Sequence, residues 1–170
     1  NSDVVITAGG DIDIDNAGLT VTQDKRDLTI TSTGGFISAR SADLSAKGQT
    51  VVDGYDGVDL SGAAVSGVKD NDDIIVTSDD AGVNLNGVVV LADGDIVVEA
   101  KENIYVVGAN IASMKTDVDI TSTNGMVSGR EAAISAKDDV VVTASTRIYL
   151  PDAAIEDKDS PEFLAPTVVV

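Results

Sequence analysis

An acidic corner followed by an alternating apolar strand recurs about every 22 residues along this chain. It reads Asp3-Val-Val-Ile-Thr7, Asp27-Leu-Thr-Ile-Thr31, Gln49-Thr-Val-Val-Asp53, Asp73-Ile-Ile-Val-Thr77, Asp95-Ile-Val-Val-Glu99, Asp117-Val-Asp-Ile-Thr121 and Asp139-Val-Val-Val-Thr143. A fixed period in this range, carried by β-forming residues, is the mark of a solenoid: each unit is too thin to bury its own apolar face and must stack on its neighbours.

Numbered from the corner residue, seven coils fit, at 3–26, 27–48, 49–72, 73–94, 95–116, 117–138 and 139–160. Position 2 holds Val4, Leu28, Thr50, Ile74, Ile96, Val118 and Val140, and position 4 holds Ile6, Ile30, Val52, Val76, Val98, Ile120 and Val142. A spacing of two places both sets on one side of a strand, facing the core. A second strand is expected near positions 10 and 12, with inward pairs Ile12 and Ile14, Phe36 and Ser38, Val58 and Leu60, Ile104 and Val106, Met126 and Ser128, and Ile148 and Leu150. In the fourth coil, Val83 and Leu85 sit one place later. A third inward site is Leu19, Leu44, Val65, Val90, Ile111, Ile134 and Ile155. Gly, Asn, Asp and Ser lie between the strands, and no stripe of period 3.6 persists for three turns. The expected fold is therefore all-β: a single-chain parallel β-solenoid of about seven coils of 22–24 residues, with three strands per coil.

A longer period overlies the short one. Residues 27–52 and 117–142 match at fourteen of 26 positions, an offset of 90 that equals four coils. The solenoid is thus expected over 1–160, as a four-coil block at 3–94 duplicated in part from 95. Residues 161–170 read as a C-terminal tail whose strand at 167–170 resembles positions 1 to 4 of an eighth coil.

Composition narrows the functional classes. Aromatic residues make up only 3% against 43% hydrophobic, so the core is built from Val, Ile, Leu and Ala. The formal net charge is −18, which leaves nucleic acid without the basic footprint it needs. Asp outnumbers Glu 24 to 5, and Asp is the acid that hydrogen-bonds its own backbone in turns. No apolar run approaches the roughly 18 residues of a membrane-spanning helix, so membrane insertion is not expected. The chain opens on Asn1, as a processed protein or a segment of a longer one would.

The ends and outer faces carry the expected contacts. A parallel solenoid ends in unpaired backbone groups, which a cap or a neighbouring copy must cover. The first strand, with Asp3, Val4, Val5 and Ile6, and the last segment, with Thr167, Val168, Val169 and Val170, are therefore read as self-association surfaces for a head-to-tail homopolymer. On the outside of the first face, Val5, Val51, Ile75, Val97 and Val141 form an aliphatic row interrupted by Thr29 and Asp119, read as a lateral contact for bundling. Phe163 and Leu164 of the tail are candidates to cover it.

Candidate sites are few. The corner aspartates Asp3, Asp27, Asp73, Asp95, Asp117 and Asp139 read as turn caps, with Lys47, Lys69, Lys115, Lys137 and Lys158 placed to neutralise them. Asp11, Asp13 and Asp15 share an outer face at intervals near 7 Å, too far apart to share one ion. Asp53, Asp56 and Asp59, in a Gly-containing loop, form the better calcium-ligand set, without EF-hand spacing. Thr7, Thr31, Thr77, Thr121 and Thr143 follow ordinary strand preference. With no His and no Cys, and no activating partner for Ser or Thr, the sequence points away from an enzyme and from any cofactor other than calcium.

Segments such as Val4-Val-Ile-Thr-Ala-Gly-Gly-Asp-Ile-Asp-Ile14 and Ala133-Ile-Ser-Ala-Lys-Asp-Asp-Val-Val-Val-Thr-Ala144 resemble the haemagglutinin-type repeats of large bacterial β-helical exoproteins, the filamentous-haemagglutinin-like, two-partner-secretion adhesins. The resemblance implies a right-handed β-helix at the cell surface, used for adhesion or display. The expectation from residues and resemblance together is a structural, secreted, extracellular solenoid that stacks as a fibre subunit. A secreted adhesin fragment binding host or neighbouring-cell ligands is the alternative, and a phage fibre or spike segment a further one.

Overall fold

The computed structural model describes residues 2–67, 72–158 and 160–170. Among the described residues there are twenty-three short strands and no helix, and each strand pairs in parallel with one a coil away. The first sheet runs β1 (Val4–Ala8), β4 (Leu28–Ser32), β7 (Thr50–Gly54), β10 (Ile74–Ser78), β13 (Ile96–Ala100), β16 (Val118–Ser122), β19 (Val140–Ala144) and β22 (Glu162–Leu164). The second runs β2 (Ile12–Asp13), β5 (Ile37–Ser38), β8 (Val58–Asp59), β11 (Val83–Asn84), β14 (Ile104–Tyr105), β17 (Met126–Ser128), β20 (Arg147–Tyr149) and β23 (Val168–Val169). The third holds β3 (Gly18–Thr20), β6 (Asp43–Ser45), β9 (Ala64–Gly67), β12 (Val89–Ala92), β15 (Asn110–Ser113), β18 (Ala133–Ser135) and β21 (Ala154–Glu156). The fold is a three-faced parallel β-solenoid of about seven coils.

The core is a stack of aliphatic rungs. Leu28, Ile30, Val52, Ile74, Val76, Ile96, Val98, Val118, Ile120, Val140 and Val142 of the first sheet are all buried, as the period-two pattern requires. Third-sheet residues Leu44, Val65, Val90, Ile111 and Ile134 close the opposite wall. Thr50 is the odd member: it is 0% exposed, in register with Leu28 and Ile74, and its Oγ1 has no hydrogen-bond partner.

The second sheet departs from the sequence expectation in two coils. The inward residues are Ile37 and Ala39 rather than Phe36 and Ser38, and Val127 rather than Met126 and Ser128. Both shifts have the cause foreseen for the fourth coil alone, one extra residue in the turn from the first to the second sheet. The residue ending the first-sheet strand alternates Ala8, Ser32, Gly54, Ser78, Ala100, Ser122, Ala144, and the turn is a residue longer after each Ser. The hydroxyl accounts for two of the three long turns. Ser32 Oγ donates to the Gly10 carbonyl at 2.7 Å and Ser122 Oγ to the Glu102 carbonyl at 2.6 Å, each reaching into the preceding coil. The solenoid is therefore built from alternating short-turn and long-turn coils: second-sheet partners Ile12, Ile37, Val58, Val83, Ile104, Val127 and Ile148 lie 25, 21, 25, 21, 23 and 21 residues apart, the two spacings of 25 including the two extra residues of the 24-residue coils.

The corner between the second and third sheets repeats in every coil. Asn16, Ser41, Gly62, Gly87, Gly108, Glu131 and Asp152 all have positive φ, between 54° and 69°. Where the residue after it donates back three positions, as Ala42 N does to the Ala39 carbonyl and Ala109 N to the Val106 carbonyl, the result is a tight turn with a left-handed third residue. These residues also pair between coils, Ser41 N donating to the Ser61 carbonyl and Gly62 N to the Asn86 carbonyl, so the positive-φ corner is held by its neighbours, at no steric cost where it is Gly and against strain where it is Asn, Ser, Glu or Asp.

The expected C-terminal tail is instead part of an eighth coil. Val142 is in register with Phe163, and Ile148 with Val168. The first-sheet strand of that coil is thus Glu162–Leu164, and residues 167–170 supply the second-sheet strand rather than positions 1 to 4. Phe163 packs partly buried against the core, so it extends the first sheet and does not cover its outer row.

Candidate functional site

The corner aspartates form a hydrogen-bonded ladder. Gln49 N donates to Asp27 Oδ1 at 2.9 Å, Asp95 N to Asp73 Oδ1 at 3.0 Å and Asp139 N to Asp117 Oδ1 at 2.9 Å; Asp27 N and Asp117 N reach Asp3 Oδ1 and Asp95 Oδ1, both at 3.3 Å. Each carboxylate thus caps the corner amide of the following coil, a turn-capping role that Asp performs well. The lysines do less than expected. Lys47 pairs with Asp24 at 3.3 Å and Lys115 with Asp93, neither on the ladder. Lys137 and Lys158 line a depression of about 260 Å³ with Glu156 and Asp157. Arg26 reaches the ladder at Asp3, 3.6 Å away. Lys69 lies outside the described residues.

Carboxylates elsewhere are also engaged one at a time. Asp11 Oδ1 accepts from Phe36 N, and Asp13 Oδ1 from Asp15 N. Asp15 accepts from Ser38 Oγ, Arg40 N and Arg40 Nε, and the guanidinium beside it lowers its pKa to about 2. In the loop expected to suit calcium, Asp53 accepts from Thr77 Oγ1 at 2.8 Å, Asp59 caps Ser61 N at 2.9 Å, and Asp56 is exposed. Among the described residues no three acidic side chains gather closely enough to hold a metal ion.

One depression of about 390 Å³ is lined by Thr77, Ser78, Asp79, Glu99, Ala100, Lys101, Thr123 and Asn124. Lys101 is ion-paired with Asp80, which raises the lysine pKa, the opposite of what a lysine nucleophile or base requires. Ser78 Oγ is buried without a partner. The other two long turns place an acceptor, Asp11 or Asn103, below the amides of Phe36 and Met126; the equivalent residue here is Gly57, with φ of 124°. The orphaned hydroxyl therefore belongs to a locally different turn.

The two ends and three outer faces remain. At the N-terminal end, Val4 and Val5 are exposed on the edge strand β1, Val5 at 64%, and Ile6, Ile14 and Leu19 are only partly buried where their counterparts in the middle coils are sealed. At the C-terminal end, β22, β23 and β21 are the edge strands, with Val168, Val169 and Val170 exposed. Among the described residues no helix lies across either end, and none is long and apolar enough to cross a membrane.

The aliphatic row of the first sheet is less open than the sequence suggests. Val51, Ile75, Val97 and Val141 are partly buried between neighbouring strands, and Glu99, Asp53 and Asp119 stand among them. Burial, then the carboxylates of Asp117, Asp95, Glu99 and Asp139, raise the pKa of Asp119, so negative charge is crowded on this face. On the second sheet Tyr105 is exposed, and the Arg147 guanidinium lies 5.0 Å from the Tyr149 ring centre. Sequence reasoning passed over the tyrosines because they lie outside the apolar repeat.

The chain is similar to no family model, no curated protein and no solved structure with which it was compared.

Proposed function

We propose that this protein is a structural solenoid module that joins end to end with further copies, as a filament subunit outside the cell. The observation that carries this reading is the in-register stacking of all three sheets, in which β1, β2 and β3 on one side and β22, β23 and β21 on the other are edge strands that a further copy can extend, beside core residues that are only partly buried. Such edges template further strands, and a head-to-tail contact between unlike ends that stacks the copies along one axis gives an open filament and not a ring. Like faces match when β1 of one copy meets β22 of the next and β2 meets β23. Because the third sheet has seven strands against eight in the others, the join then interrupts it by one strand. The acidic surface supplies solubility to the free subunit.

Sedimentation velocity over a range of concentrations tests the proposal, comparing the parent chain with Val168→Lys, which places a cation on the inward side of the terminal second-sheet strand. Growth to long species in the parent, abolished in the variant, supports it. A parent chain that stays at one size at every concentration refutes it. A second reading, a segment of an adhesin, draws on the exposed Tyr105 and the Arg147–Tyr149 pair, which offer an aromatic surface to a ligand. Binding of the chain to arrayed glycans or to cells, lost in Tyr105→Ser, is its test.

A further inference from the structure

Four consecutive strands of the third sheet carry no charge. β9, β12, β15 and β18 contain no Asp, Glu, Lys or Arg at any position, in a chain of net charge −18. Over the same coils the first sheet presents Asp53, Glu99 and Asp119 and the second presents Asp59; on the third sheet charge returns only in the bordering strands, with Asp43 of β6 and Glu156 of β21. At the centre of the neutral patch Val89 is 39% and Leu91 36% exposed. Ala64 and Asn110 flank Val89 in register, and Ser66 and Ala112 flank Leu91, so the surface around them is low and uncharged.

We propose that this patch of the third sheet, and not the aliphatic row of the first, is the lateral contact between filaments, occupied by the same patch of a second copy. The inference rests on the filament reading above. A second copy carries the same net charge of −18, so the face across which two copies approach is selected by charge. Pressing the first sheets together would bury Glu99 and Asp119 against like charges, which is strongly unfavourable. Across β9, β12, β15 and β18 the third sheets meet with no charge to desolvate, and small flat side chains let two sheets approach to about 10 Å.

The size of the patch decides when the contact forms. Four strands spaced by roughly 4.8 Å, about three residues long, cover on the order of 200 Å² per copy. A standard stable interface needs about 800 Å² per partner, so isolated subunits meet across this face only weakly and transiently, at high concentration. Along a filament the patch recurs with every subunit, and contacts that are individually weak add into a bundle.

Electron microscopy and low-speed pelleting of filaments from the parent chain, Leu91→Asp and Ile75→Asp, at about 0.15 M salt, test the assignment. The parent and Ile75→Asp filaments are expected to bundle alike. Leu91→Asp is expected to give single filaments, with the pelleted fraction down by roughly tenfold or more, because each contact then buries an unpaired carboxylate. Bundling unchanged in Leu91→Asp, dispersal by Ile75→Asp, or parent filaments that never associate would each overturn it. If no chain forms filaments, the filament reading fails by itself and the face is tested separately. The chain contains no Cys, so Ala112→Cys and Ile75→Cys each carry a single thiol. A higher yield of oxidised dimer from Ala112→Cys at high protein concentration supports the third sheet, and an equal or lower yield overturns it.

Discussion

Replacing Thr50 with Val should make this solenoid more stable. Thr50 takes the core position that Val4, Leu28, Ile74, Ile96, Val118 and Val140 fill in other coils, and it is 0% exposed with no partner for its Oγ1. Its backbone bond, Thr50 N to the Asp73 carbonyl at 2.9 Å, does not involve the side chain and survives the change. Valine has nearly the same shape, so no cavity opens, and the only thing removed is a buried hydroxyl left without a hydrogen bond. Such a group costs about 1–3 kcal/mol, so the variant should gain about 1–2 kcal/mol. For a chain of this length that corresponds to about 2–4 °C in melting temperature per kcal/mol. Thr50→Ser keeps the hydroxyl and deletes a methyl group, and should lose about 1 kcal/mol or more. Urea unfolding followed by circular dichroism, with the slope compared among the three chains, reads both changes. An unchanged or lower midpoint for Thr50→Val would show that the hydroxyl is bonded, and the reasoning about this rung would fall.

Three further outcomes follow from the corners. Glu131→Gly and Ser41→Gly should each stabilise by about 1 kcal/mol in the same assay, since both residues hold positive φ, whereas Gly108→Ala should destabilise by a similar amount. Asp117→Ala should cost about 1 kcal/mol by uncapping Asp139 N, whereas Asp117→Asn, which keeps the acceptor, should be close to neutral; equal losses would point to charge rather than capping. The Asp15 carboxyl, held at about 2 by Arg40, has a folded pKa below its unfolded value, so its contribution is present above the unfolded pKa and is lost as pH falls from about 4 through about 2. An NMR titration should show the Asp15 pKa returning towards 4 in Arg40→Ala, and no change there would remove the pair from the account.

The first and third sheets could be read from the sequence because their strands keep period two and their inward residues are almost all aliphatic. The second sheet could not be read throughout. Its strands are only two or three residues long, too short to fix a phase, and Phe36 and Met126 look like core residues although they lie one place before it. The alternation of Ser32, Ser78 and Ser122 with Ala or Gly at the same corner was the available signal for the longer turns. The left-handed corner was hidden for another reason: Asn, Ser, Gly, Glu and Asp all occupy it, because pairing with the next coil, more than the residue's own preference, holds the backbone there. The eighth coil was misplaced because Thr167, Val168, Val169 and Val170 look like a first-sheet strand, whereas Phe163 already occupies that sheet. The assembly surfaces were only half legible. The aliphatic row of the first sheet shows in the repeat, but the uncharged stretch formed by β9, β12, β15 and β18 emerges only when four coils are stacked.

The central claim is that the ends of one solenoid continue into the next. Cryo-electron microscopy of the concentrated protein measures it directly, through the axial rise per subunit. Eight first-sheet strands per chain, spaced by about 4.8 Å, predict filaments with a rise of about 38 Å and like sheets aligned across each join. Separate short rods at every concentration, or filaments whose subunits meet side by side with their ends free, would contradict it.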